Sequence, residues 1–223
     1  MPIVRGAWAL LAKDFRSEFR TRYALSAILL FAVASIAMLS FVLRGQMMEP
    51  RQSAALVWVI IFFAAVTGLS RPFVQEAEAG TELLLRQAAR PESVWLGKFL
   101  FSLVLMGALE VVIFPLYSAL MGAPILAPLP LVGVAALGAV ALAVSTTIVA
   151  AMVSKANARA TIFAVAALPI MLPALIFLVE ATAPSFGAHD PGGQAGAAMR
   201  TLISYSGILG ALSWMLFPVI WEE

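Results

Sequence analysis

The 223-residue chain contains no cysteine and a single histidine, His189. Without cysteine there is no disulfide framework, no thiolate metal site and no thiol nucleophile. One histidine alone leaves little with which to hold a transition metal. Charge is the next shortage: 12% of residues are charged and 62% are hydrophobic, where soluble domains run at about 25% and about 45–50%. So few charges cannot cover a water-exposed surface, which excludes a soluble enzyme, a nucleic-acid binder and a disordered scaffold. The formal net charge is only +2, so the fourteen basic residues read as a membrane-topology signal rather than as a phosphate-binding patch. A G-x-x-x-x-G-K-[ST] loop is also missing, which removes nucleotide binding of the P-loop kind.

What is present is long apolar runs. A hydrocarbon core of roughly 30 Å needs about 20 apolar residues per helix, and six runs qualify: Tyr23–Leu43, Ser53–Ser70, Val94–Met121, Leu129–Val153, Thr161–Ala181 and Leu202–Trp221. The expected fold is an all-α integral membrane protein with six transmembrane helices. Polar or Pro/Gly-containing breaks separate them at Arg44–Gln52, Gly122–Pro128 and Thr182–Ala198. The first run is too long for the apolar core of a signal peptide and reads as a retained span. Eleven Lys and Arg residues fall on one side of the spans and three, Arg44, Arg51 and Arg200, on the other. The positive-inside rule therefore places both termini in the cytoplasm.

Ahead of the first span, Val4, Trp8, Leu11, Phe15 and Phe19 recur at helical spacing, with Lys13, Asp14, Arg16, Ser17 and Arg20 on the other face. Residues 1–22 read as an amphipathic helix in the membrane interface, or as a cap packed on other helices. Residues 23–221 form the six-helix domain, with a cytoplasmic loop at 71–93. In that loop Gly80 separates two short helical pieces, Thr81 is a candidate N-cap, and Leu83, Leu84 and Leu85 form an apolar patch. Such a helix either docks a partner protein or folds back on the membrane. Pro91 suits the first turn of the third span.

Inside the spans, Glu110 sits at mid-depth and Glu180 near an outer end. A mid-bilayer carboxylate costs several kcal/mol unless paired, protonated or facing a polar cavity. Glu110 reads either as a substrate-path residue or as a neutral structural hydrogen-bonder. Lys98 lies about 18 Å away along the same helix, so another helix must supply any partner. Two carboxylates on different helices make no acid/base pair, and catalysis is not expected. The five tryptophans read as interfacial anchors. Ala135, Ala139, Ala143, Thr147 and Ala151 form a small-residue stripe suited to close helix contact. Pro169 and Pro173 suggest a bent or broken fifth span.

The loop residues Glu76, Gly80, Thr81, Leu84 and Pro91, followed by Gly97 and Lys98, resemble the coupling region of ABC-2-type permeases. The run Leu168-Pro169-Ile-Met-Leu-Pro173-Ala-Leu-Ile176-Phe177 and the six-span length are similar to the heme exporter protein B family of cytochrome c maturation. The resemblance covers nearly the full chain; one departure is Glu82-Leu83, where many relatives have Leu-Glu. It implies the permease subunit of an ABC complex in the bacterial inner membrane, itself without catalysis. An ATPase subunit, as a dimer, would dock on Glu76, Glu78, Gly80, Thr81, Glu82, Leu84 and Pro91, alongside a second permease copy. Further implied partners are a haem-handling membrane protein and a haem chaperone, and no nucleic acid. No cofactor is expected to be held firmly, with haem as transported or handled substrate. Glu110, Pro169 and Pro173 are the candidate intramembrane polar and kink residues. An ABC-2 permease exporting a lipid, drug or polysaccharide would share the coupling loop.

Overall fold

The computed structural model describes residues 2–21, 23–43, 46, 48–69, 89–153 and 159–222. Among them are seven α-helices and no strand: α1 (Pro2–Thr21), α2 (Tyr23–Leu43), α3 (Pro50–Leu69), α4 (Pro91–Met121), α5 (Pro128–Val153), α6 (Arg159–Thr182) and α7 (Gln194–Glu222). Six of these, α2 to α7, are long and apolar enough to cross a membrane. In lipid each span must satisfy its own backbone, which makes helices of such runs. Proline opens α3, α4 and α5, where its missing N–H would have been unpaired anyway. Arg90, held extended by the proline that follows, accepts the first bonds of α4 from Ser93 and Val94 at 3.0 and 3.2 Å. Gly122, at φ +62°, ends α4 in the left-handed conformation that glycine takes without steric cost.

Helix α5 is the most enclosed span and packs against α4, α6 and α7. Its small-residue stripe explains this: Ala139, Ala143, Thr147 and Ala151 are all buried and Ala135 partly so, letting neighbouring backbones approach closely. The polar residues of this helix cost little. Ser145, Thr146 and Thr147 donate their hydroxyl protons to the carbonyls of Ala141, Leu142 and Ala143 at 2.7–2.8 Å. By contrast α2 and α7 lie at the periphery, with Leu30, Phe41, Met215 and Val219 exposed as a lipid-facing surface would require.

The structure departs from the expectations in four places. Helix α7 starts at Gln194, not Leu202, because Asp190 caps it: its two carboxylate oxygens accept the Gln194 and Ala195 N–H groups at 2.7 and 3.0 Å. The break before it is correspondingly shorter, residues 183–193, and opens with a 3₁₀ turn at Ala183–Phe186 that Gly187 closes at φ +101°. Helix α6 runs unbroken through Pro169 and Pro173. The Tyr205 hydroxyl of α7 donates to the carbonyl of Ile170, so a neighbouring helix contacts the backbone between the two prolines.

The tryptophans are the third departure. Trp58, Trp95 and Trp221 are buried, and only Trp8 and Trp214 are exposed. Trp58 crosses from α3 to α5, where the missing side chain of Gly138 makes room for its ring; a Cβ there would collide with it. Its indole N–H donates to Thr182 Oγ1 at 2.8 Å and its ring meets Phe114 edge-on. A long side chain with a satisfied polar tip packs a helix interior as well as an interface.

The last departure is the face of α1 that packs on the bundle. It is formed by Ala7, Leu10, Leu11, Asp14 and Glu18, whereas Val4, Trp8 and Phe19 are exposed.

Candidate functional site

Three regions carry polar groups that ordinary lipid-facing packing does not require. The first is the junction of α1 with the start of α4. Helix α4 has 31 residues, about 46 Å at 1.5 Å per residue, so it exceeds a hydrocarbon core of roughly 30 Å by about three turns. Its first three turns are the ones α1 covers. Ser93 lies against Gly6, and Gly97 lets the backbones close up: a Cβ there would meet Leu10 Cβ at 2.9 Å and the Ala7 carbonyl at 3.1 Å. The Phe15 and Phe101 rings follow, centroids 5.1 Å apart. Within this seam Lys98 Nζ lies 3.0 Å from Asp14 Oδ2, with Lys98 fully buried and Asp14 8% exposed. Lys98 is therefore spoken for by α1, not by Glu110.

Asp14 was expected on the polar outer face. The missed signal is that Asp14 and Glu18 stand four residues apart and in register with Ala7, Leu10 and Leu11, the line that packs inward, while the basic residues of α1 share a different line. Of the coupling residues, Pro91 occupies the first turn of α4 as expected. Glu76, Glu78, Gly80, Thr81, Glu82 and Leu84 lie outside the described residues.

The second region is mid-span. Glu110 is 3% exposed and its Oε1 has no hydrogen-bond partner among the described residues. Around the bundle other polar side chains are matched across helices: Trp58 to Thr182, and Trp95 Nε1 to Ser213 Oγ at 2.6 Å. Glu110 is thus a buried carboxylate with one unmatched oxygen, on the α4 face that also carries Ile113, Phe114 and Tyr117 inward. Pro169 and Pro173 sit on α6, with the Tyr205 contact between them and α7.

The third region is the opposite end of the bundle. A cavity of about 540 Å³ opens there between the ends of α2 and α4 and the start of α3, bordered by Ser40, Gln46, Met48, Ser53, Met121 and Phe186. Ser40 Oγ donates to the Leu120 carbonyl at 2.8 Å on its wall. Its lining mixes polar side chains, Ser40, Gln46 and Ser53, with apolar ones such as Leu43, Met48 and Phe186. At the same end Arg51 and Glu180 form an ion pair between α3 and α6, so Glu180 is accounted for structurally. Among the described residues no cluster of His, Asp and Glu could hold a metal ion.

Comparison with curated proteins gives no match. The family profile described as CcmB protein matches residues 5–209, a stretch that takes in α1, the five spans after it and most of α7. With α1, the buried spans and the mid-span carboxylate all inside that match, the chain belongs to the CcmB family, the multi-pass membrane permease component of haem export in c-type cytochrome maturation.

Proposed function

We propose that the chain couples ATP hydrolysis by a separate ATPase subunit to a rearrangement of its own membrane helices, in the service of haem delivery to c-type cytochromes. The observation that carries this reading is the seam between α1 and α4. Residues 71–93 lead directly into α4, and α4 is locked to α1 at its first three turns by Gly97, Phe101 and the buried Lys98–Asp14 pair. A push on the loop therefore moves two helices as one body rather than fraying a single helix end. Discrete rigid elements of this kind are what a two-state transition requires.

In this reading the ATPase, as a dimer facing two permease copies, docks on Glu76, Glu78, Gly80, Thr81, Glu82, Leu84 and Pro91. A haem-handling membrane protein and a haem chaperone act on the outer side. The assembly lies in the bacterial inner membrane with both termini cytoplasmic, as the eleven-to-three distribution of Lys and Arg supports. The chain performs no chemistry itself. Its spans offer neither His nor Cys, so haem is written as handled substrate, without strong axial ligands from this subunit. Glu110 then serves as a polar contact whose matching partner changes between the two states.

Deletion of the gene and its restoration, followed by a haem stain of membrane c-type cytochromes, tests the assignment. Loss and recovery of covalent haem is expected; normal cytochromes after deletion would leave only a generic permease. Docking is tested separately by Gly80→Val and by Glu76→Lys with Glu82→Lys, which should reduce co-purification of the ATPase while membrane insertion is kept. Unchanged co-purification would remove the coupling role from this loop.

A further inference from the structure

At about 100° per residue, α1 divides into three sectors. The first, Ala7, Leu10, Leu11, Asp14 and Glu18, is buried against the bundle. The second, Val4, Trp8 and Phe19, is apolar yet 64–69% exposed, with Phe15 stacked on Phe19 beside it. The third is basic: Arg5, Lys13, Arg16 and Arg20 are all exposed. The acidic residues of the helix are both turned away from that third sector. Asp14 Oδ2 holds Lys98, and Glu18 Oε1 accepts the Leu25 N–H at 2.9 Å, where a carboxylate also complements the positive N-terminal end of α2. Among the described residues, Lys13 alone of these four leans back toward an acid, 3.5 Å from Asp14 Oδ1. By internalising its acids, α1 leaves an outer face of one sign.

Lys13, Arg16 and Arg20 follow one another at three- and four-residue steps, with the small residues Ala9, Ala12 and Ser17 between them, around a cleft of about 440 Å³. The cleft ends one turn before α2, which enters the span at Tyr23. These cations therefore stand at the depth where a span meets headgroups, next to an exposed aromatic strip. We propose that this face of α1 is a binding site for anionic phospholipid headgroups: the guanidinium groups of Arg16 and Arg20 take the phosphodiester, and Phe19 and Trp8 lie against the acyl boundary. Arginine suits the task because its planar fork meets two phosphate oxygens at once. The exposed apolar strip favours a membrane over an acidic protein surface, and lipid binding here stands independently of any ATPase or haem.

The test uses the full-length protein purified in mixed micelles of phosphatidylcholine with a minor fraction of phosphatidylglycerol, the retained lipid being quantified by mass spectrometry. The wild type should enrich phosphatidylglycerol, and each of Arg16→Gln and Arg20→Gln should lower that enrichment about fivefold at low salt. High salt should diminish the wild-type preference. Arg16→Lys with Arg20→Lys, which keeps the charge, should retain most of it, and Arg200→Gln on α7 should leave it unchanged; these two variants separate a lost site from a misfolded protein. Absence of enrichment in the wild type, or equal enrichment in the Gln variants, overturns the proposal. So does a Gln double variant that keeps its lipid but loses a co-purifying protein, which would make the face a protein dock.

Discussion

Removing one partner of the Lys98–Asp14 pair should release α1 from the bundle. Lys98 is fully buried and Asp14 is 8% exposed, with 3.0 Å between the charged atoms. Deleting one member of such a pair costs about 3–5 kcal/mol because the other charge stays behind in a dry site. Lys13, half exposed and 3.5 Å from Asp14 Oδ1, partly compensates in Lys98→Met, which places that variant at about 3 kcal/mol, or roughly a hundredfold in the ratio of docked to undocked α1. Asp14→Asn offers Lys98 an amide in place of its carboxylate and should fall within the same range. Replacing both partners with apolar groups of similar volume, Asp14→Leu with Lys98→Met, should recover most of the loss, since the desolvation penalty disappears along with the attraction. Limited proteolysis of the detergent-solubilised protein reads this directly, because cleavage within residues 2–21 requires α1 to leave α4. Faster cleavage in both single variants and near wild-type cleavage in the double variant is the expected pattern. Single variants cleaved at the wild-type rate would show that the pair contributes nothing to docking, and that Gly97 and the aromatic contact suffice.

Gly138→Ala should destabilise by about 1–3 kcal/mol through overpacking against the Trp58 ring, visible as a lower thermal midpoint in detergent; an unchanged midpoint would mean that Trp58 does not occupy the α5 notch. Asp190→Ala should cost about 1 kcal/mol and fray the first turn of α7, raising amide exchange at Gln194 and Ala195 and leaving α4 unaffected. Glu110→Gln should be milder than Glu110→Lys in yield of monodisperse protein, because the neutral amide fits the same buried place whereas a cation brings several kcal/mol of desolvation. Equal losses from both would count against a neutral Glu110.

The spans were legible because lipid makes them a local property. A residue run such as Tyr23–Leu43 has nowhere to put its backbone N–H and C=O groups except within itself, and α2 has those bounds. The small-residue stripe of α5 was legible because its four-residue period is written in one helix; that the half of α5 from Ala141 to Ala151 is buried on every side was not. The start of α7 was not, since a run of glycine and alanine carries weak hydropathy and its helicity depends on one carboxylate at Asp190. Trp58 was read as an anchor because residue type speaks for interface and interior alike; only Gly138, eighty positions later, decides that there is room inside.

The polar groups divide along the same line. Glu110 could be recognised as costly from its depth, yet that its Oε1 lacks a described partner while Trp58, Trp95 and Tyr205 have theirs is a fact of how four helices meet. Membrane insertion and the number of spans follow from composition and spacing, because transfer to lipid is governed by each segment's own apolar area and charge. Tertiary structure decided which face of α1 packs inward, that Lys98 answers Asp14, and that the outward face of α1 is left basic. Those outcomes depend on distant residues arriving at the same place, and helix pairing in a membrane is settled by steric fit and matched polar groups, which no single segment contains.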